Sequence, residues 1–328
     1  MTTPLIAYSY PLIRTFRRVI FPLVPKLHLA RFAASLARTR ELKWFAGWRF
    51  GDGEFVKNEP HRLRRLLWKY YRAKRLDAPF AIPWYDDLRV IMYLGNDLSF
   101  CLYVAGTYEP NEFMFLAQML HSGITFLDVG ANDGLYTLFA SRRLGPTGRI
   151  IALEPSRREF ARLERNLRLN DITNALALRL AASDHEGTAT LRLAGFGHEG
   201  MNSLGEIGYS YPQAASEEIS LITLDSLVEK HQLARIDVIK IDVEGAELKV
   251  LQGAHAILST HKPVILLEIF ESVLKHQGAS REAVLQHLES FGYRFFVFGS
   301  TGRPEPVGRV NVDGANIIAM HRDRTMTF

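Results

Sequence analysis

The chain has 328 residues, enough for one large domain with an appendage, and its 47% hydrophobic content is that of an ordinary soluble globule. Its single cysteine, Cys101, excludes an internal disulfide framework and an all-cysteine zinc site, and suits a reducing compartment. The net charge of +5 conceals an uneven split: residues 1–76 hold twelve arginines and five lysines against four acids, a net +13, which leaves −8 for residues 77–328.

Residues 1–76 therefore read as a basic, aromatic-rich helical segment, and residues 77–328 as a second domain. Leu12, Ile13, Phe16, Val19 and Ile20 share one helical face, and Leu63, Leu66, Leu67, Tyr70 and Tyr71 repeat the pattern among arginines and lysines. Such basic amphipathic helices pack on the rest of the protein, pack on a second copy in a homo-oligomer, or lie on an anionic membrane surface; nucleic acid is the less favoured partner. Arg14, Pro22, Pro25 and Lys26 interrupt every apolar run well short of the roughly 20 residues that cross a bilayer. The run from Pro4 to Ile13 lacks a preceding basic end and a small-residue cleavage site, so no secretory signal is expected. A cytoplasmic location follows as the expectation, with a peripheral place on the inner face of a membrane open to the basic segment.

From about residue 80 strands begin. Leu88 to Leu94 and Phe100 to Val104, separated by Gly95-Asn96-Asp97, predict a hairpin. Beyond it, Thr125 to Gly134 reads Thr-Phe-Leu-Asp-Val-Gly-Ala-Asn-Asp-Gly, a buried strand breaking into a glycine-bracketed turn that opens a helix. A dinucleotide turn needs Gly-x-Gly-x-x-Gly against a pyrophosphate. Here the spacing is Gly-x-x-x-Gly, with Asp128 two residues before the first glycine. An acid suits a cation, so S-adenosylmethionine, with its ammonium and sulfonium, fits this turn better than NAD.

Strands are expected at 124–129, 149–153, 175–181, 236–241 and 263–268, and helices at 135–143, 156–169, 246–259 and 280–290. This alternation predicts an α/β fold with a doubly wound, mostly parallel, Rossmann-like sheet of seven strands, closed by Tyr293 to Phe298 and Ala315 to Met320. One excursion, from Leu193 to Glu217, is glycine-rich and has the length of a lid or binding loop; it carries His198.

Ligands of such sheets bind beyond the carboxyl ends of the strands, and those positions are acidic here. They are Glu154-Pro155 after the second strand, Ala182-Ser183-Asp184 after the third, Lys240-Ile241-Asp242-Val243-Glu244-Gly245 after the fourth and Leu267-Glu268 after the fifth. Glu154, twenty residues past Gly134, can accept both hydroxyls of a ribose, and Ser183-Asp184 can meet an adenine edge. With Ile241 and Val243 in the core, Lys240, Asp242 and Glu244 point together to the other face. Such a cluster can orient a hydroxyl, remove its proton, or hold a hard divalent ion such as Mg²⁺ on Asp242, Glu244 and Glu268.

Taken together, Asp-Val-Gly-Ala-Asn-x-Gly, Glu-Pro, Ala181 to Gly187, Leu224 to Leu227 and Lys-Ile-Asp-Val-Glu-Gly-x-Glu resemble the FkbM family of S-adenosylmethionine-dependent methyltransferases. The resemblance spans roughly residues 86–300 and includes Gly106 to Glu112. It implies a class I methyltransferase fold and O-methylation of a hydroxyl on a sugar, glycan, glycolipid or polyketide-like small molecule. It also implies that Asp128, Gly130, Ala131, Asn132 and Gly134 hold the methionine end of the cofactor, Glu154 the ribose, and Ser183 and Asp184 the adenine. Asp242 and Glu244 would then face the transferred methyl, with Lys240 assisting and His198 as the alternative base. Two other readings are an RNA ribose 2′-O-methyltransferase and a non-catalytic scaffold. Adenine-N6 and cytosine-C5 chemistries fit poorly, since no Asn/Asp-Pro-Pro-Tyr/Phe motif occurs and Cys101 precedes the cofactor strand.

Overall fold

The computed structural model describes residues 21, 24–37, 42–45, 62–205, 213–308 and 315–324. The expected helix over residues 12–20 lies outside them. The chain falls into two compact units, residues 1–40 with 50–108, and residues 41–49 with 109–328. The boundary expected at 76/77 thus lies inside the first unit.

In the first unit, helices α1 (Lys26–Ser35) and α2 (Arg62–Lys74) accompany a two-stranded ribbon, β1 (Phe80–Pro83) and β2 (Arg89–Met92). The apolar stripe of α2 buries Leu67, Trp68, Tyr70 and Tyr71. Trp68 Nε1 donates to the Asn96 carbonyl at 2.9 Å and to Ser99 Oγ at 3.0 Å, and Tyr103 donates to the Ala33 carbonyl at 2.9 Å. The expected hairpin is corrected here. Strand β2 pairs with β1, Phe80 opposite Met92, while residues 97–105 are helical and end at Gly106 with φ of +80°. Asn96 is the reason: its Oδ1 accepts the Ser99 N–H at 2.8 Å and caps a helix where Gly-Asn-Asp reads as a turn.

The second unit runs α3 (Pro110–Met119), β3 (Thr125–Val129), α4 (Leu135–Leu144), β4 (Arg149–Leu153), α5 (Arg157–Leu169), β5 (Ala175–Leu178), β6 (Ala181–Ala182), β7 (Gly187–Ala194) and β8 (Gln213–Ile222). It continues through α6 (Leu224–Lys230), β9 (Val238–Ile241), α7 (Glu247–Gln252), β10 (Val264–Ile269), α8 (Glu271–His276), α9 (Arg281–Ser290), β11 (Tyr293–Phe298), β12 (Pro304–Val307) and β13 (Ala315–His321). The main sheet has the order β12-β11-β13-β10-β9-β3-β4-β5. The five adjacent strands β10, β9, β3, β4 and β5, with β5 at the edge, are parallel, and the remaining pairings are antiparallel. Continuous apolar runs such as Val-Ile-Leu-Leu in β10 suit strands covered on both faces.

Among the described residues the sheet has eight strands where seven were expected. The addition is β12, which pairs Pro304 and Pro306 with Phe298 and Phe296 at the sheet's rim, the place where a strand lacking N–H donors is tolerated. The expected strand over 175–181 also divides: β5 joins the main sheet, while β6 pairs with β8 in a separate three-stranded sheet with β7. The excursion between β7 and β8 is accordingly shorter than expected, since β7 runs to Ala194 and β8 starts at Gln213.

Strand β3 sits between β4 and β9, where the chain first winds outward through β4 and β5 and later returns through β9 and β10. That reversal is the switch point at which open α/β sheets bind ligands, beyond the carboxyl ends of β3, β4 and β9.

Candidate active site

The turn after β3 is held by its backbone. The N–H groups of Gly130 and Ala131 both donate to the Leu153 carbonyl of β4, at 3.0 and 2.9 Å. Gly130 has φ of +81°, and a Cβ there would run into the Asp242 carbonyl, so only glycine lets this turn lie against the turn after β9. Asp128 is fully buried. Its Oδ2 accepts from Thr137 Oγ1 at 2.5 Å, and it is the cross-strand partner of Lys240. Burial pushes its carboxyl up, and Lys240 and the Thr137 bond push back without cancelling the rise.

Above this turn lies an open cleft of about 630 Å³, lined from three strand ends. Gly130 and Asn132 line it beyond β3, Glu154 and Pro155 beyond β4, and Asp242, Val243 and Glu244 beyond β9. Glu154 accepts the Asn132 N–H on Oε2 and the Ser156 N–H on Oε1, each at 2.9 Å, which locks its carboxyl against the cofactor turn. Five of the predicted site residues thus share one cleft.

The others do not line it. Ala131 is buried in the turn, and Gly134, with φ of +89°, caps the start of α4. Ser183 is buried with its hydroxyl bonded to Asp184, and the Asp184 carboxylate is exposed and bonded to His185 at 2.7 Å; Ala181 and Ala182 of β6 line the cleft in their place. His198 lies in the excursion but not on the cleft, whose wall there is Glu199, Gly200, Asn202 and Leu204.

The carboxyl end of β9 carries the strongest electrostatics. Lys240, 4% exposed, donates to Asp242 Oδ2 at 2.6 Å and sits 4.7 Å above the Tyr136 ring. Burial opposes its charge, yet Asp242, Asp128 and Glu109 together hold the ammonium above its usual range. Burial likewise opposes ionisation of Asp242, and Lys240 with a hydrogen bond from Glu268 overrides it, holding Asp242 below its usual range. The Glu244 and Glu268 carboxyls are raised well above theirs, first by burial and then by the Asp242 charge. Asp242 is therefore the ionised acid of this group at neutral pH, and Lys240 reaches the cleft only through it.

A buried network beneath this edge had no counterpart in the predicted site. Tyr136 donates to Glu109 Oε2 at 2.5 Å, and the Asn316 amide bridges Glu109 and Glu112 at 3.2 and 3.1 Å. Glu109 and Glu112 stand in the Gly106 to Glu112 segment, whereas Asn316 arrives from β13, some two hundred residues on, beyond any local spacing rule. The expectation of a divalent ion on Asp242, Glu244 and Glu268 is not supported: among the described residues no group of three His, Cys, Asp or Glu side chains is arranged to hold a metal.

The buried acids make stability depend on pH. Glu154 is pushed up to about 8 by burial and then Glu159, Glu112 to about 8 by burial and then Glu109, and Glu247 to about 7 by burial. Each binds more protons folded than unfolded between its ordinary value of 4.5 and the raised one, so its contribution is full below that range and lost as pH rises through the raised value. Scanning calorimetry is expected to show the melting temperature falling from about pH 5 to about pH 8. A rise across that window would contradict the burial of these carboxyls.

A doubly wound sheet with an acidic cleft at its switch point and a Gly-x-x-x-Gly turn beneath it defines a class I methyltransferase. Residues 128–295 match the family described as the methyltransferase FkbM domain, and the chain belongs to that family. It is an S-adenosylmethionine-dependent methyltransferase of the FkbM type. Methyltransferase sdnD of Sordaria araneosa is 29% identical over 194 residues, covering 48% of this chain and 74% of that protein. Methyltransferase 1 of Beauveria bassiana (strain ARSEF 2860) is 27% identical over 142 residues, 39% of this chain and 57% of that protein. Among solved structures, the FkbM methyltransferase of Methylobacillus flagellatus KT aligns with a TM-score of 0.43 at 15% identity, covering 69% of this chain and 53% of that one. An O-methyltransferase from Bacillus cereus in complex with SAH aligns at 0.34 and 16% identity, covering 64% and 78%.

Proposed function

We propose that the cleft holds S-adenosylmethionine with its ribose hydroxyls on Glu154 and its sulfonium end toward Asp242 and Glu244. The acceptor is then a hydroxyl of a sugar, glycan, glycolipid or polyketide-like small molecule. The donor set supports this placement. The ionised Asp242 on the cleft wall suits a cationic ligand, and Gly130 keeps the floor free of a Cβ.

When bound, the cofactor supplies a methyl group already activated by its sulfonium. The chain's remaining tasks are alignment and proton removal. Asp242 carries the reading: it is an ionised carboxylate on the cleft wall, held on one side by Lys240 and on the other by Glu268. In that position it can accept a hydrogen bond from the acceptor hydroxyl and aim an oxygen lone pair at the methyl carbon. The hydroxyl proton, made acidic as its oxygen takes the methyl, would pass to the Asp242 carboxylate. A carboxylate below its usual pKa is a weak base, and a weak base suffices for such a proton. Alignment supplies several kcal/mol of the barrier reduction, and the proton acceptor about 10²- to 10⁴-fold.

The test is transfer of labelled methyl from S-adenosylmethionine to a panel of glycans, glycolipids and polyketides, with products analysed by mass spectrometry. A base-stable methyl ether supports the reading. Label found only on nitrogen, carbon or carboxyl oxygen refutes it.

A further inference from the structure

Residues 195–205, Gly-Phe-Gly-His-Glu-Gly-Met-Asn-Ser-Leu-Gly, cross the cleft as a strap with little apolar anchorage of its own. Phe196 is exposed, and Leu204 packs on the small core of the three-stranded sheet at one end. Polar ties hold the rest, and they reach each cleft-forming segment. On the α5 side, Asn202 Nδ2 donates to Glu159 Oε2 at 3.1 Å, while its Oδ1 accepts the Ala194 N–H at 3.0 Å. Also on that side, the Glu199 carboxylate lies 3.9 Å from Arg162, and Arg162 lies 3.7 Å from Asp133 in the cofactor turn. Over that same turn, Gly200 comes so near that a Cβ would stand 3.1 Å from Asn132 Nδ2. On the β9 side, Ser203 Oγ donates to the Glu244 carbonyl at 3.1 Å and accepts from Gln277 Nε2 at 2.9 Å.

We propose that this strap is the fourth wall of the cofactor site, and that Asn202 is a positioning residue that clamps it to α5 through Glu159. The proposal rests on the cofactor placement given above. Glu159, Glu199, Gly200, Asn202 and Leu204 all line the cleft, so a ligand seated on Glu154 lies beneath them. Two backbone hydrogen bonds, at 2.8 and 3.0 Å, also bridge Ser203 to Arg192 of β7, so the part that opens locally, without unfolding the sheet, is the turn from Gly195 to Asn202, which buries little apolar surface. The strap must therefore open to admit and release the nucleoside, and its ties set how fast that happens. Asn202 is the tie best suited to test, because it reaches a carboxylate from the strap alone. Arg162, by contrast, also neutralises buried Asp133, so its loss would disturb the turn itself.

Stopped-flow binding of S-adenosylhomocysteine to the full chain tests this, using wild type, Asn202→Ala, Asn202→Asp, and Asn202→Asp combined with Glu159→Gln. For Asn202→Ala the dissociation rate is expected to rise about tenfold, the size of one hydrogen bond to a charged group, with association quickened as well. Asn202→Asp sets like charges together and is expected to release faster still, with Glu159→Gln restoring part of the loss. The melting temperature of the ligand-free Asn202→Ala protein should stay within about 2 °C of wild type, which a purely structural role would not allow. Unchanged dissociation in both single variants overturns the proposal, as does a parallel fall in the ligand-free stability of Asn202→Ala. If wild type binds no S-adenosylhomocysteine, both this proposal and the cofactor placement fail; binding with unaltered variants leaves the placement standing and removes the strap alone.

Discussion

Replacing Lys240 with methionine is expected to destabilise the protein by about 3–5 kcal/mol at pH 8, the usual loss when one partner of a buried ion pair is removed. Lys240 is the cation that holds Asp242, Asp128 and Glu109, all three buried or lining the cleft beside it. Methionine keeps the length and apolar stem but leaves those carboxyls without a counter-charge. They would answer by taking up protons, so the folded pKa of Asp242 would move from below to above its unfolded value. A raised carboxyl stabilises only below its unfolded pKa and loses that contribution as pH rises through the folded value. The deficit should therefore shrink as pH falls from 8 to 5. Urea unfolding at both pH values checks it. A loss under about 1 kcal/mol at pH 8, or one that grows on acidification, would mean that Lys240 does not hold this cluster.

The second large effect concerns turnover. Asp242→Asn keeps the size of the side chain and one oxygen for Lys240, but it cannot accept the acceptor's proton. Turnover is expected to fall about a hundredfold or more, with S-adenosylhomocysteine affinity within a few fold of wild type. The split between rate and affinity is what matters, because a variant that merely loosens the turn would lose both. Near-normal turnover would move the proton acceptor elsewhere, with Glu244 on the same wall as the alternative.

The frame of this site was legible from sequence because it depends on local patterns. Phe126-Leu127-Asp128-Val129, Arg149 to Leu153 and Val264 to Ile269 are apolar runs of strand length, and the first two end at a glycine or an acid that breaks the strand. Periodicity with strand-end chemistry sufficed to bring Gly130, Asn132, Glu154, Asp242 and Glu244 to one cleft. The failures share a cause, which is pairing across long separations. Asp128 reads as an acid that meets a cation directly or through water, and what the sequence does not show is that its neighbour on β9 is Lys240. Residues 100–105 are aromatic and branched like a strand, but the cap at Asn96 and burial on all sides make them helical. Ser183-Asp184 follows a strand as expected, but that strand pairs with β8 outside the main sheet, and its own Ala181 and Ala182 line the cleft in place of Ser183 and Asp184. Asn202 and Asn316 carry no local signature at all, since their roles exist only once α5, α3 and β13 are in place.

The placement of the cofactor is the claim on which the rest depends, and calorimetric titration with S-adenosylhomocysteine tests it most directly, comparing wild type with Glu154→Gln. The expected result is one equivalent bound by wild type and binding at least about tenfold weaker in the variant, which loses the carboxylate that would accept the ribose hydroxyls. No heat of binding for wild type, or equal affinity in the two proteins, would contradict a cofactor seated on Glu154.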